Sequence, residues 1–257
     1  MKTLSLLFVS LLFLTGPLCP VASAHYPWLL VDKPNPAPGS RVILTAGWGH
    51  HFPQDSLLKT RELAKLTILA PDGQEVAATP RSATSFASAP LVRPGVYLVA
   101  ASRKPGFYTK TTEGGRRQSK QGLKNVVVCY HSRMTMKTIL MVGEGEGRVD
   151  QRFGHPLEII PQAEPAAVGV GGKLMVQVLL NNQPYQGEIQ ATWAGFSPDK
   201  NRFAFATATD REGRAMIPLS HPGLWLVKVD HRQPYPDPEE CDQEVAVATL
   251  TFLVPGK

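Results

Sequence analysis

The sequence predicts an all-β protein made of two β-sandwich domains. Three observations carry this. The 23 prolines and 22 glycines are spread along the whole chain, which leaves no room for long helices. Short runs rich in Val, Ile, Leu, Thr and aromatic residues recur between Pro-, Gly-, Asn- and Asp-containing turns. A glycine-rich segment, GEGEGRVDQRFG from Gly143 to Gly154, has the look of a linker and divides these runs into two sets.

The first element is an export signal. Met1-Lys2 is a short positive start, Leu4 to Leu14 is almost wholly apolar, and Gly16-Pro17 ends the run. Ala22-Ser23-Ala24 supplies the small-x-small pattern that a signal peptidase reads. The run is too short for a membrane span, and no later stretch reaches the roughly 18 apolar residues that one needs. Cys19 follows Pro17-Leu18 rather than small residues, which argues against a lipid anchor there. Residues 1–24 are therefore read as a cleaved signal peptide, with His25 as the first residue of the mature chain.

The N-terminal domain, residues 25–145, contains runs at Arg41 to Ala46, Leu66 to Leu69, Gly95 to Ala100, Asn125 to Tyr130 and Thr135 to Val142. The turns Pro38-Gly39 and Pro71-Asp72-Gly73 punctuate them. The C-terminal domain, residues 155–257, starts with the alternating run Lys173 to Leu180. Asn181-Asn182-Gln183-Pro184 reads as a hairpin turn, and Glu188 to Thr192 as the return strand. Phe203 to Thr209, Ala215 to Leu219, Gly223 to Val229 and Val245 to Val254 complete the set. About seven strands in about 100 residues is the size of an immunoglobulin- or transthyretin-like sandwich. Both halves contain a Pro-Gly-x-aromatic strand start, at Pro94 to Tyr97 and at Pro222 to Trp225, a short internal repeat.

The formal charge is +6. Much of the excess lies in Arg103, Lys104, Lys110, Arg116, Arg117, Lys120 and Lys124, opposed only by Glu113. The stretch Thr109 to Gly122 lacks apolar periodicity and reads as a solvated, mobile loop. Aromatic platforms are not interleaved with these charges, and an exported chain does not meet nucleic acid, so that class of partner is excluded. An anionic lipid or an acidic partner fits the charge. Cys129 and Cys241 survive processing. An oxidising compartment allows them one disulfide, which would staple the halves together; two unpaired thiols are the alternative.

Enzyme signatures are lacking: the chain has no Gly-x-Ser-x-Gly elbow, no His-Glu-x-x-His helix and no phosphate-binding loop. The informative residues are histidines. His25 would carry a free α-amine beside its own imidazole, and the two close a six-membered chelate on a metal. The amine has a reference pKa of about 7.7–8.0, so it loses its proton readily near neutrality. A third nitrogen from His50 or His51, in Gly49-His50-His51-Phe52-Pro53, gives an N3 set that suits Ni(II) or Cu(II). Imidazole also suits cobalt and zinc. The same residues also read as a polar processed end and a surface loop. Cys129 and His131 share one strand face and form a soft-metal pair, or else a core or disulfide cysteine beside a surface histidine. His155, His221 and His231 adjoin turns and read as solvated.

Five landmarks then carry a resemblance. Ala24-His25-Tyr26-Pro27-Trp28-Leu29, Gly49-His50-His51-Phe52-Pro53, Gly154-His155-Pro156-Leu157-Glu158-Ile159-Ile160-Pro161, Thr209-Asp210-Arg211-Glu212-Gly213 and Pro222-Gly223-Leu224-Trp225-Leu226 follow one another in order. Together they resemble the DUF4198 family of periplasmic proteins. The resemblance implies a periplasmic location and an association with nickel or cobalt uptake, near energy-coupling transporters and outer-membrane TonB-dependent receptors. It implies a transthyretin- or carboxypeptidase-regulatory-like second domain. It places His25 and His50 on the family's histidine positions and His51 on a variable one. The basic insert from Lys110 to Lys124 has no counterpart in it. The expectation is a non-enzymatic, periplasmic metal-binding protein that takes nickel or cobalt through His25 and His50, with His51 or His131 completing the set. Two rivals stand beside it. One is a copper protein of the histidine-brace type, a chaperone or an oxidase. The other is a metal-free structural envelope protein.

Overall fold

The runs Asn125 to Tyr130 and Thr135 to Val142 turn out to be one strand, Val126–Val142, and this strand organises the molecule. The computed structural model describes residues 25–256; the expected signal peptide, residues 1–24, lies outside them. Val126–Val142 pairs antiparallel with Gly95–Arg103 and, at its other end, with Gly106–Thr111. Its opposite edge pairs in parallel with Gln243–Val254 from the C-terminal half. Strands of both halves therefore enter one ten-stranded sheet. Its order is Phe205–Ala208, Glu188–Trp193, Gly223–Pro234, Gln243–Val254, Val126–Val142, Gly95–Arg103, Leu63–Leu69 and Glu75–Val76, with the hairpin of Gly106–Thr111 and Gly114–Arg116 branching from it.

Two smaller sheets pack on this one. The five-stranded sheet has the order Tyr26–Val31, Ile43–Gly49, Ser85–Ser88, Ala78–Pro80, with Ser56–Leu57 paired to Ile43–Gly49. The four-stranded sheet holds Leu157–Pro161, Lys173–Leu180, Gln183–Pro184 and Arg214–Pro218. Alternation along Gly95–Arg103 shows how they share the central layer. Val96 and Leu98 enter a core with Leu157, Ile159 and Val176 of the four-stranded sheet. Tyr97 and Val99 enter a second core with Leu29 and Leu44 of the five-stranded sheet. A strand buried on both faces must be apolar at nearly every position, and the Val96-Tyr97-Leu98-Val99-Ala100-Ala101 run is. The all-β sandwich expectation holds, and the two sandwiches share a common sheet.

The sequence reading departs from the structure in three places. Glu188–Trp193 is not the hairpin return of Lys173–Leu180. Only Gln183–Pro184 pairs back, and the chain then crosses to the central sheet, where Glu188–Trp193 joins Gly223–Pro234. The glycine-rich segment is a packed connection: Val149 is buried in the C-terminal core, and the Glu146 carbonyl accepts from the Val96 amide at 3.4 Å. The basic insert is ordered as well. Thr109 and Thr111 alternate inward, Thr109 Oγ1 donates to the Gln118 carbonyl at 2.8 Å, and Lys120 Nζ donates to Asp242 at 2.5 Å.

Three ties join the halves and the layers. Cys129 and Cys241 form a disulfide between residues 112 apart, one from each half. Lys137 of the central sheet reaches Glu158 of the four-stranded sheet at 2.6 Å, both side chains buried. Glu158 also accepts from the amides of Phe153, Gly154 and His155, which closes the turn before the Leu157–Pro161 strand. On the other face, Thr249 Oγ1 donates to the Pro27 carbonyl at 2.9 Å and Thr251 Oγ1 to the Leu29 carbonyl at 2.7 Å. These threonines satisfy carbonyls on the unpaired edge of the Tyr26–Val31 strand. Among the described residues no helix is long and apolar enough to cross a membrane.

Candidate metal centre

His25 stands immediately before the Tyr26–Val31 strand, and His50 immediately after Ile43–Gly49. These two strands pair antiparallel with Tyr26 opposite Gly49, so the register itself brings the two histidines together. Their ring centroids are 4.1 Å apart, tilted by 48°. Trp48 stacks on His25 at 5.5 Å and 11°.

The His50 loop is fixed from several sides. Asp55 accepts from the amides of His50 at 2.8 Å and His51 at 3.2 Å through one oxygen, and from Ser56 at 3.0 Å through the other. Those amides, His50 first, hold the Asp55 carboxyl below its ordinary pKa. Gly49 makes this closure possible. It has φ +148°, and a Cβ there would lie 2.1 Å from Asp55 Oδ2. Trp28 Nε1 donates to the Pro53 carbonyl at 3.1 Å and pins the far side of the loop.

The imidazole of His50 is oriented by Asn201. Its Nδ1 is 2.8 Å from Asn201 Oδ1, and the Asn201 amide donates back to the His50 carbonyl at 3.1 Å. With Asn201 Oδ1 as the acceptor, Nδ1 is the donor of this pair, which leaves Nε2 as the nitrogen that a neutral ring would offer a metal. A histidine that binds metal commonly has its other ring nitrogen held in this way. His25 is also suited to the neutral, ligating form. Partial burial lowers its pKa below 6.5, His50 pushes it the same way, and Asp55 opposes both.

The other expected ligands lie elsewhere. His51 turns away and its Nε2 donates to the Pro198 carbonyl, which commits that nitrogen. His131 packs between Phe107 at 4.7 Å and Tyr235 at 5.3 Å, near the disulfide, with its Nδ1 buried and unpartnered among the described residues. Cys129 is in the disulfide, so the soft-metal pair with His131 is not available. No group of three His, Cys, Asp or Glu side chains comes together as a metal site among the described residues. The side chains therefore supply two imidazoles, and a third nitrogen would have to be the amine freed by processing. His155 is not the solvated turn residue expected of it. It stacks on Phe153 at 5.9 Å, and burial drives its pKa down to about 4, Glu158 opposing and Lys137 adding to the shift. Sequence reading missed Asn201 and Asp55. A short Gly-x5-Asp spacing could have flagged Asp55, whereas Asn201 is 151 residues from its partner.

Fold and site together define a β-sandwich protein carrying an imidazole pair at one end of its first sandwich. The chain belongs to the DUF4198 family: the model of that family, described as a domain of unknown function, matches residues 22–233. No curated protein matches it in sequence. Among solved structures it is similar to the D0-D1 domain of intimin, with 12% identity, TM-score 0.23, and coverage of 88% of this chain and 97% of that one. It is similar also to the three N-terminal domains of the bacteriophage RB49 outer capsid protein Hoc, with 11% identity, TM-score 0.21, and coverage of 88% and 59%. The ectodomain of mouse nectin-like molecule 4 gives 13% identity, TM-score 0.20, and coverage of 90% and 65%.

Proposed function

We propose that the mature chain is a periplasmic carrier that binds a divalent transition-metal cation, nickel or cobalt, and assists its uptake. One observation carries the reading: the approach of the His25 and His50 ring centroids to 4.1 Å, with His50 Nδ1 engaged by Asn201 and Nε2 left for a ligand. Two imidazoles in neighbouring positions on one metal, with metal–nitrogen bonds of about 2.0–2.1 Å, set their centroids about 4.5–5 Å apart, so a small outward rotation of the rings would admit the ion. The terminal amine of His25 completes an N3 set once the signal peptide is gone. Such a set leaves coordination positions open, which suits capture and release better than permanent holding. Handover would be to a transporter or to outer-membrane receptor components, and nothing in this reading requires catalysis.

The test is a competition titration of mature protein, its N-terminus verified as His25, with Ni(II), Co(II), Cu(II) and Zn(II). The expected result is strongest retention of nickel or cobalt relative to their ordinary order, and at least about a tenfold loss of affinity in His50→Ala. A variant with one extra residue before His25 should lose a similar factor. Unchanged affinity in both variants removes the site. A preference for Cu(II) beyond its ordinary lead, with an axial paramagnetic resonance spectrum, moves the centre to the histidine-brace class.

A further inference from the structure

Beside the imidazole pair lies a cleft of about 430 Å³, bounded by His25 and Trp48 at one end. Its other walls come from three places in the chain. Ser56, Leu57, Leu58 and Lys59 lead into the short 3-10 turn that holds Arg61 and Glu62, Arg103 ends the Gly95–Arg103 strand, and Arg117 follows the hairpin of the basic insert. The insert thus delivers a guanidinium to the rim where the histidines stand. Four basic residues and one acidic residue line the cleft, and two of the guanidiniums, those of Arg103 and Arg117, lie near the Glu62 carboxylate. That carboxylate does not satisfy them. Glu62 Oε1 is 3.9 Å from Arg103 and 3.7 Å from Arg117, beyond hydrogen-bond length for both, while its other oxygen accepts from the Lys59 amide at 2.9 Å. Arg103 lies over the Trp48 ring at 4.8 Å, and its buried Nε has no hydrogen-bond partner among the described residues.

Guanidinium groups match planar carboxylates through paired N–H donors, and they keep their charge when partly buried. Glu62, held loosely between two of them, marks where a carboxylate oxygen belongs. The volume falls in the range of small-molecule sites and exceeds what one carboxylate fills. Cations on several walls call for an anion with more than one head. We propose that this cleft binds a small polycarboxylate anion, and that the metal reaches the histidine pair as the chelate of that anion. The second part rests on the metal-carrier reading; the first stands on the cleft alone.

Isothermal titration of metal-free mature protein with citrate, and separately with inorganic phosphate at matched ionic strength, reads the anion site. Citrate should bind, and Arg117→Ser should weaken it by about fivefold or more, since a charge-assisted pair is lost from a side chain too exposed to matter for folding. Arg103→Gln, checked by its thermal melt, should weaken it further. Phosphate should bind at least about fivefold more weakly than citrate. No citrate binding by the wild type, or equal binding by wild type and both variants, overturns the proposal. Phosphate binding as tight as citrate overturns the polycarboxylate class. Nickel citrate should bind more tightly than citrate alone, and His50→Ala should abolish that gain. If nickel adds nothing to citrate binding while Ni(II) alone is still retained, the chelate falls and the carrier reading stands; if Ni(II) alone is not retained either, the carrier reading falls and an anion cleft without metal is what stands.

Discussion

His50 is determined by residues that touch it at its amide, its carbonyl and its ring, and each contact has its own consequence. Asp55 sets the backbone, and Asn201 sets which ring nitrogen is free. Asn201→Ala should leave the fold intact yet lower nickel affinity by about tenfold, because the ring then samples other orientations and tautomers. Asn201→Asp should retain most of the affinity, since a carboxylate still accepts from Nδ1. Competition titration of the two variants separates orientation from a merely structural role. His155 makes a different prediction. Its folded pKa of about 4 lies below the usual 6.5, so the unfolded chain takes up the proton first as pH falls. Stability is therefore full above pH 6.5, declines between 6.5 and 4, and is level below that as far as this residue is concerned. The linked loss is about 2–3 kcal/mol. His155→Gln should flatten that part of the curve of thermal midpoint against pH, and an unchanged slope would assign the loss to other groups. His25 and His50 were legible in the sequence because one sits at the expected processing point and the other in a Gly-His-His-Phe-Pro turn. Asn201 was not, because an orienting contact across 151 residues leaves no local pattern.

At the scale of elements, the pairing of Tyr26–Val31 with Ile43–Gly49 is what converts two loop histidines into a pair. Gly49 guards its end. A Cβ at φ +148° and 2.1 Å from Asp55 displaces the carboxylate that gathers the loop. Gly49→Ala should destabilise the protein by about 1–3 kcal/mol and weaken metal binding with it. Urea denaturation and titration of one preparation check both effects, and loss of one without the other would uncouple loop from site. Most strands could be read from their β-branched runs and turns. The crossover after Gln183–Pro184 could not, because a two-residue pairing followed by a turn looks locally like any hairpin. The order of the basic insert was hidden for a related reason. Two inward threonines and one lysine–aspartate contact fix it, and none of these is apolar periodicity.

At the scale of the molecule, the central sheet carries both cores on its two faces, and the parallel pairing of Val126–Val142 with Gln243–Val254 joins the halves edge to edge. Unfolding should be a single cooperative transition by circular dichroism and tryptophan fluorescence alike. Two separated transitions would show that the shared sheet does not couple the sandwiches. The disulfide adds to this coupling. It closes a loop of 112 residues, and removing it in Cys129→Ser/Cys241→Ser should lower stability by about 2–5 kcal/mol, as should reductant acting on the wild type. The two-sandwich plan was readable from strand spacing. The common sheet was not, since strand order is set by contacts between distant segments and each half alone has enough strands to suggest closure.

The grip of Thr249 and Thr251 on the Pro27 and Leu29 carbonyls has one more consequence under the proposed reading. These clasps index the leading strand independently of whatever precedes it, so His25 is delivered to the same spot whether or not a leader is still attached. A precursor in the finished shape would hold the ion about tenfold more weakly, for want of a single nitrogen. On that reading, removal of the leader would act as an arming step that strengthens the chain's hold on the ion.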